Sequence, residues 1–469
     1  MGAPLLLAAV LSAGAAGAVT LPRLSRPRLA ADRPVTLSAP LLDLRPAAGV
    51  YERRGVGLLA VDLRDSTALH RAIGNRKAHA WTAAVLDLAE ATARDFDGAV
   101  VRRMGDGYLM VFPEAERAMR AAAALQENLP AWREKAGAPP LELRSAVHAG
   151  RVLVDARGKS PEAYGQSVER ALALADKSEG GEVALFPELA DSLLARGWDR
   201  RASLRRGDGV SLLRLRPAAS AALAPPRPAA PAEFVEAATL FASLVDWPAV
   251  FERYGRRRAY ATVKAFHAHA AAIVERHGGA LVKTSGDTVM ATFPTPGAAV
   301  AAGLELQARL GDLRRASPLG RLVAARVGIS SGRALREEGG HGVDYFGNTV
   351  NAAARLMKRA APGEVLVAGR SLESDPAAAA LMAGAALTYA EVKGFPEPIP
   401  MAGVTPPPAP ADRAASRRLR QVAAAAIAAV PPPATHNKGD RHFCYNPPCC
   451  EVGYNKSACP LCYVPFLTS

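Results

Sequence analysis

Residues 100–113 read VVRRMGDGYLMVFP, and residues 281–294 read LVKTSGDTVMATFP. In each, an apolar run leads into Gly-Asp and a second apolar run ends at Phe-Pro, the pattern of a β-hairpin with a tight turn. The two stretches lie 181 residues apart, and the same offset aligns LAVDLRDSTA (59–68) with LFASLVDWPA (240–249). After one inserted residue, LRSAVHAGRVL (143–153) meets ARVGISSGRAL (325–335) at 182. Order and spacing persist over about 150 residues, which means a duplicated domain rather than a short-period solenoid.

Each repeat reads strand, long helix, hairpin, helix, strand pair, helix, strand. In the first repeat the opening strand is GVGLLAVDL, and the spacing of apolar residues predicts one helix from Ser66 towards Phe96. The order βαββαβ is that of the ferredoxin-like α+β fold, in which the first strand and the hairpin are neighbours in one sheet. Asp62 and Asp106 therefore converge. At 469 residues the chain exceeds what one core usually organises. The expected division is an apolar segment and linker at 1–47, domain one at 48–217, a Pro/Ala tether at 218–233, domain two at 234–404, and a linker and Cys-containing tail at 405–469.

Residues 2–21 are uncharged and precede Arg23, Arg26 and Arg28. Twenty residues suffice to span a bilayer, and the arginines favour a cytoplasmic C-terminal side. The expectation is cytoplasmic domains anchored to the inner membrane by this segment, with a cleaved signal and a misassigned start as alternatives. The net charge of +14 is mostly arginine, scattered in small clusters such as RRLR (417–420), without a basic stripe interleaved with aromatics. That pattern argues against nucleic-acid binding. All five cysteines lie in the last 26 residues, so neither repeat depends on disulfides. In the tail, HFCYNPPCCEVGYNKSACPLC (442–462) contains one C-x2-C knuckle and reads as unstructured, with structural zinc and a redox or disulfide role as alternatives.

Two carboxylates converging from a strand end and a hairpin turn can hold one or two Mg²⁺ ions, whose shells are completed by substrate phosphates. Taken alone, an Asp in a Gly-Asp-Gly turn is more often there for turn geometry. Asn351 and Arg355, four apart on one helix face, have a surface polar pair as their ordinary explanation.

KTSGDTVMATF and YFGNTVNAAARLM in the second repeat go beyond those generic readings. The sequence resembles the class III nucleotidyl cyclases, the adenylate and guanylate cyclase family, over both repeats. The resemblance implies two cyclase homology domains in an intramolecular head-to-tail pseudodimer, with each site built from both partners. It places Asp62 and Asp106 at the two metal positions, for two Mg²⁺ or Mn²⁺ ions, and Arg144 against the triphosphate. In the second repeat it places Lys283 and Asp344 at the base-reading positions, Asn351 and Arg355 at the ribose and transition-state positions, and Lys393 at the phosphate-binding lysine. Lys283 can donate to an adenine ring nitrogen and Asp344 can accept from the exocyclic amine, so ATP is the expected substrate and 3′,5′-cyclic AMP the expected product.

The reciprocal site lacks these residues. Ser243 stands opposite Asp62, while Arg102, Glu162, Glu169 and Ala173 stand at the positions of Lys283, Asp344, Asn351 and Arg355; Asp287 and Arg326 survive. In pseudosymmetric cyclases such a pocket can bind a regulator, and that alternative stays open here. Asp65 departs from the family's preference for glycine in the phosphate-contacting turn, so a catalytically silent nucleotide-binding regulatory pair is the rival reading, with a guanylate cyclase as the other alternative.

Overall fold

The computed structural model describes residues 49–158, 161–195, 198, 202–215, 232–339, 342–392, 395 and 397–430. The segment 2–21, Lys393 and the cysteines lie outside them. Among the described residues, no helix is long and apolar enough to cross a membrane.

The first repeat begins with β1 (Val50–Leu63), α1 (Ser66–Ile73) and α2 (Asn75–Asp95), followed by the hairpin β2 (Ala99–Arg103) and β3 (Gly107–Phe112). α3 (Ala115–Ala136) returns the chain to β4 (Leu143–Asp155), which pairs with β5 (Glu162–Tyr164); α4 (Gln166–Ala175), β6 (Glu182–Leu185), α5 (Pro187–Leu194), β7 (Ala202–Gly207) and β8 (Val210–Leu215) complete the unit. The sheet order β2-β3-β1-β4 is the ferredoxin-like core, extended on the β4 side by β6, β8 and β7. The added hairpin of β7 and β8 is not anticipated by the seven-element reading.

The second repeat repeats the plan: β9 (Ala232–Leu244), α6 (Trp247–Tyr254), α7 (Arg256–Arg276), β10 (Ala280–Ser285), β11 (Thr288–Phe293), α8 (Pro296–Ala308), α9 (Leu310–Ala316) and β12 (Ala325–Gly339). β13 (Gly342–Phe346), α10 (Asn348–Arg359), β14 (Val365–Ala368), α11 (Gly369–Glu373), α12 (Pro376–Leu381), β15 (Leu387–Ala390) and β16 (Ile399–Val404) follow. Its sheet order, β10-β11-β9-β12-β14-β16-β15, is that of the first sheet. The fold is α+β, two ferredoxin-like units in one head-to-tail pseudodimer.

The single helix expected from Ser66 is two. Gly74, at φ 80° and ψ 153°, stands between α1 and α2, and Gly255, at φ 82° and ψ 152°, divides α6 from α7 at the equivalent place. That backbone is far from helical and easily reached only by glycine. Beyond the second repeat, α13 (Arg413–Ala429) lies against α7 and α9. Asp412 caps it, accepting from the amides of Ala414 and Ala415 at 2.9 and 3.0 Å. Leu419, Ala423 and Ala426 form its buried stripe.

The repeats meet reciprocally. His79 of α2 reaches Glu337 of β12, with Nε2 and Oε2 2.8 Å apart, and Tyr260 of α7 donates to Asp155 of β4 at 2.6 Å. His79 and Tyr260 are equivalent positions, as are Glu337 and Asp155, so each repeat lays its long helix on the other's hairpin. Such isologous pairing is what a two-fold relation requires. Val50, Leu153 and Tyr164 of the first repeat join the apolar core of the second.

Gly328 on β12 brings the sheet close to the helix that bears Asn351 and Arg355: a Cβ there would lie 2.1 Å from the backbone nitrogen of Met357. Backbone cannot step aside as a flexible side chain can. Gly328→Ala should therefore lower unfolding stability by on the order of 1 to 3 kcal/mol in a urea titration.

Candidate active site

Asp62 lies near the end of β1, opposite Gly107 of β3 on one side and Arg144 of β4 on the other. Asp106 sits in the adjoining turn, tied to the strand end by a 2.9 Å bond from the Leu63 amide to its carbonyl. The approach is close. A Cβ at Gly107 would lie 2.5 Å from the Val61 carbonyl oxygen, so glycine is needed where turn and strand meet. The Ser66 hydroxyl, at the start of α1, donates to Asp106 Oδ2, and Arg144 Nη2 donates to Asp62 Oδ2 at 2.6 Å.

Burial, and then the neighbouring Asp106 carboxylate, push the Asp62 carboxyl up to about 8, against the opposing pull of Arg144. Two carboxylates held this close are oxygen donors suited to a hard divalent cation. Among the described residues no group of three or more His, Cys, Asp or Glu is arranged to hold a metal. A cation here would have only two such ligands, leaving the rest of its shell to substrate and water.

The second repeat supplies a different set. Lys283 Nζ on β10 lies 2.5 Å from Asp344 Oδ2 on β13, and the Tyr345 amide donates to the other oxygen at 2.8 Å. Asn351 and Arg355 follow on α10, half-buried and one turn apart. Among the described residues, neither side chain has a hydrogen-bond or ion-pair partner. α1, which leaves the Asp62 strand, touches α10 across the interface. Asn75, at the start of α2, sits against Gly347: a Cβ there would lie 3.1 Å from Asn75 Nδ2, and its φ of 120° favours glycine in any case. The carboxylate end of repeat one and the α10 end of repeat two therefore share one side of the interface. No direct bond among the described residues links Asp62, Asp106 or Arg144 to Lys283, Asp344, Asn351 or Arg355.

Asp65 occupies the left-handed region, φ 52° and ψ 33°, as does Asp246 at φ 52° in the other repeat. Aspartate tolerates that conformation better than most residues, which accounts for it where glycine would be easiest. Its side chain is 66% exposed and lies 3.4 Å from Arg64 Nε.

The reciprocal side of the interface is filled. Arg102, 7% exposed, donates to the Ala163 carbonyl at 2.8 Å and lies 3.8 and 3.5 Å from Glu162 and Glu169. Burial works against its charge, but Glu169 and then Glu162 outweigh it and raise its pKa. Glu162 in turn accepts from the Gly286 amide of the opposite repeat at 2.7 Å. A Cβ at Gly286 would lie 3.0 Å from the Arg102 guanidinium, whereas one at the equivalent Gly105 meets nothing within 4 Å. One turn faces space and the other faces arginine.

Residues 230–380 match the family described as the adenylate and guanylate cyclase catalytic domain. This part of the chain belongs to the class III cyclase family. The matched cyclase segment covers Lys283, Asp344, Asn351 and Arg355, and it stops short of Lys393; the first repeat lies outside it. A Mycobacterium tuberculosis protein described as uncharacterized is 35% identical over 159 residues, 34% of this chain and 38% of that protein. A protein of Glutamicibacter nicotianae named adenylate cyclase is 34% identical over 140 residues, 29% of this chain and 32% of that one. The chain thus spans well under half the length of these relatives. A class III adenylyl cyclase-like ATP-binding protein from Pseudomonas aeruginosa shares the fold across 69% of this chain and 85% of its own, with a TM-score of 0.50 and 14% identity.

Sequence reasoning missed His79, Glu337 and Asn75. The repeat offset pairs His79 with Tyr260 and Glu337 with Asp155, a polar couple in both copies that could have singled them out.

Asp287 is the surviving carboxylate of the filled side, bonded by the Ser243 hydroxyl at 3.2 Å. Burial, and then Glu169, push it up to about 6. A carboxyl raised in the folded state contributes stability that is complete below its unfolded pKa and is lost as pH rises through the folded value. The melting temperature should therefore decline between about pH 4 and 7 through this group. Asp287→Asn should remove that part of the decline and be the more stable protein at about pH 8, as read by thermal melts across the range.

Proposed function

We propose that the chain is an adenylate cyclase, forming 3′,5′-cyclic AMP and pyrophosphate from ATP at one composite cleft between its repeats. The observation that carries this reading is the Lys283–Asp344 pair, an ammonium donor 2.5 Å from a carboxylate acceptor, beside a helix whose Asn351 and Arg355 are otherwise unengaged among the described residues. Lys283 donates to a ring nitrogen of adenine, and Asp344 accepts from the exocyclic amine. Guanine would turn a carbonyl towards that carboxylate, a buried mismatch costing on the order of 1 to 3 kcal/mol.

Asn351 holds the ribose so that its 3′-oxygen lies in line with the α-phosphorus. As the bond from that oxygen to phosphorus forms and the bond to pyrophosphate breaks, charge gathers on the phosphate oxygens. Arg355 offers them a forked donor that stays charged throughout. Arg144 and Lys393 bind the triphosphate. Asp62 and Asp106 are the residues that would hold Mg²⁺ or Mn²⁺, which when bound neutralises phosphate charge and lowers the pKa of the 3′-hydroxyl. The adenylate cyclase name of the Glutamicibacter relative supports the choice of purine. On the filled side, the ion pairs of Arg102 support a structural role rather than a regulator pocket.

A nucleotide-binding pair without turnover is the second reading. Asp65 favours it, because it adds negative charge at the turn expected to approach the triphosphate. The Pseudomonas neighbour described as an ATP-binding protein fits the same alternative.

Incubating the purified chain with ATP or GTP and Mn²⁺, then identifying the product, separates these readings. Cyclic AMP from ATP is the expected result, and no cyclic nucleotide from either substrate would establish the silent pair. Asp62→Ala and Asp106→Ala should each lower turnover by on the order of 10²-fold or more. Asp287→Ala should keep most of it, and comparable damage there would contradict a single cleft. Lys283→Glu combined with Asp344→Asn should erode the preference for ATP in competition assays. Unchanged discrimination would mean that the purine is read elsewhere.

A further inference from the structure

We propose that His79 is a positioning residue through which repeat one sets the base discrimination of repeat two. The inference rests on the reading of Lys283 and Asp344 as the purine-reading pair and extends it across the interface. His79 is buried on α2, 4% exposed, and belongs to the repeat that contributes no purine contact. Its Nε2 lies 2.8 Å from Glu337 Oε2, and its ring lies on that of Phe346, with centroids 4.0 Å apart at 36°.

Those two contacts grip both strands of one hairpin. Glu337 of β12 stands directly opposite Asp344 of β13, and Phe346 is two residues further along β13. Side chains alternate along a strand, so Asp344 and Phe346 share a face. The Phe346 ring also lies 5.8 Å from Lys283 Nζ. His79 therefore bears on the neighbours of both members of the pair, and among the described residues it bonds neither. If it is lost, β13 still pairs with β12, but the bond to Glu337 and the ring contact with Phe346 no longer fix where β13 sits relative to β10.

The reciprocal contact shows how the fold builds this grip. Tyr260 bonds Asp155 at 2.6 Å and meets the Tyr164 ring at 5.1 Å, and Tyr164 is the equivalent of Phe346. There the hairpin has additional anchors. Arg157 and Lys264 lie 2.9 and 3.2 Å from Asp155, and Arg102 bonds the Ala163 carbonyl. On the open side, among the described residues, His79 is the only side chain of repeat one that bonds Glu337.

The test uses the full chain with Mn²⁺ and a fluorescent, non-cyclisable ATP analogue displaced by ATP or by GTP, so that it does not depend on turnover. His79→Phe keeps a ring against Phe346 and removes the bond to Glu337. It should cut the ratio of ATP to GTP affinity by about tenfold, the scale of one lost hydrogen bond to a charged group, mainly by weakening ATP. His79→Gln, which restores a donor, should recover most of the ratio. An unaltered ratio in His79→Phe, with Asp344→Asn shifting it, would overturn the positioning role and leave the purine assignment standing. An unaltered ratio in both would overturn the assignment and this inference together. If thermal melting shows His79→Phe unfolded, Glu337→Gln decides from the other side: a narrowed ratio supports the proposal and an unaltered one overturns it.

Discussion

The contact that each long helix makes with the opposite hairpin is the constraint on which the rest of the molecule depends. It is made twice, as His79 on Glu337 and as Tyr260 on Asp155. Because the two contacts are equivalent, the repeats can associate only in the head-to-tail sense, with the first-strand end of each facing the α10-type helix of the other. That geometry generates two clefts. A site in either cleft must draw on both repeats, so a residue needed on one side is superfluous at its equivalent position on the other.

The two clefts differ by a few side chains on the same backbone plan. At one, Lys283 and Asp344 are half-buried and satisfy each other, and a Cβ at Gly105 would meet nothing within 4 Å. At the other, arginine replaces lysine and glutamates replace Asp344 and Asn351, so that Arg102 is locked between two carboxylates and against the Gly286 turn. A buried guanidinium with its counter-charges in place is costly to disturb, since removing either partner strands a charge in the interior. The difference between the two sides lies in these side chains and not in the fold, since both sheets keep one strand order. On the other side Asp62 and Asp106 belong to one repeat and Lys283 and Asp344 to the other, so the function proposed above would need both repeats in place.

The core of each repeat was legible because Gly-Asp between two apolar runs is a local signal, and because the duplication tested every local reading twice. Asp62 and Asp106 meet as the strand order demands, and Lys283 and Asp344 come together as an ion pair. The break at Gly74 escaped the periodicity argument, since a glycine between two amphipathic stretches barely interrupts their apolar spacing. The hairpin β7–β8 adds strands beyond the seven-element pattern and so had no template. α13 was read as part of a linker because its Ala-rich run is weakly amphipathic; its buried stripe becomes evident only against α7. His79 is legible only through the repeat offset. Its partner is 258 residues away, and the pairing follows from the two-fold relation rather than from spacing along the chain.

In the function proposed above, one cleft accepts nucleotide and its counterpart is closed by the chain's own arginine. Isothermal titration of the full chain with a non-cyclisable ATP analogue and Mn²⁺ distinguishes the two sides. One nucleotide should bind per chain, with binding weakened by Lys283→Glu and unaffected by Glu169→Gln. Two nucleotides per chain, or one whose affinity follows Glu169 rather than Lys283, would contradict it.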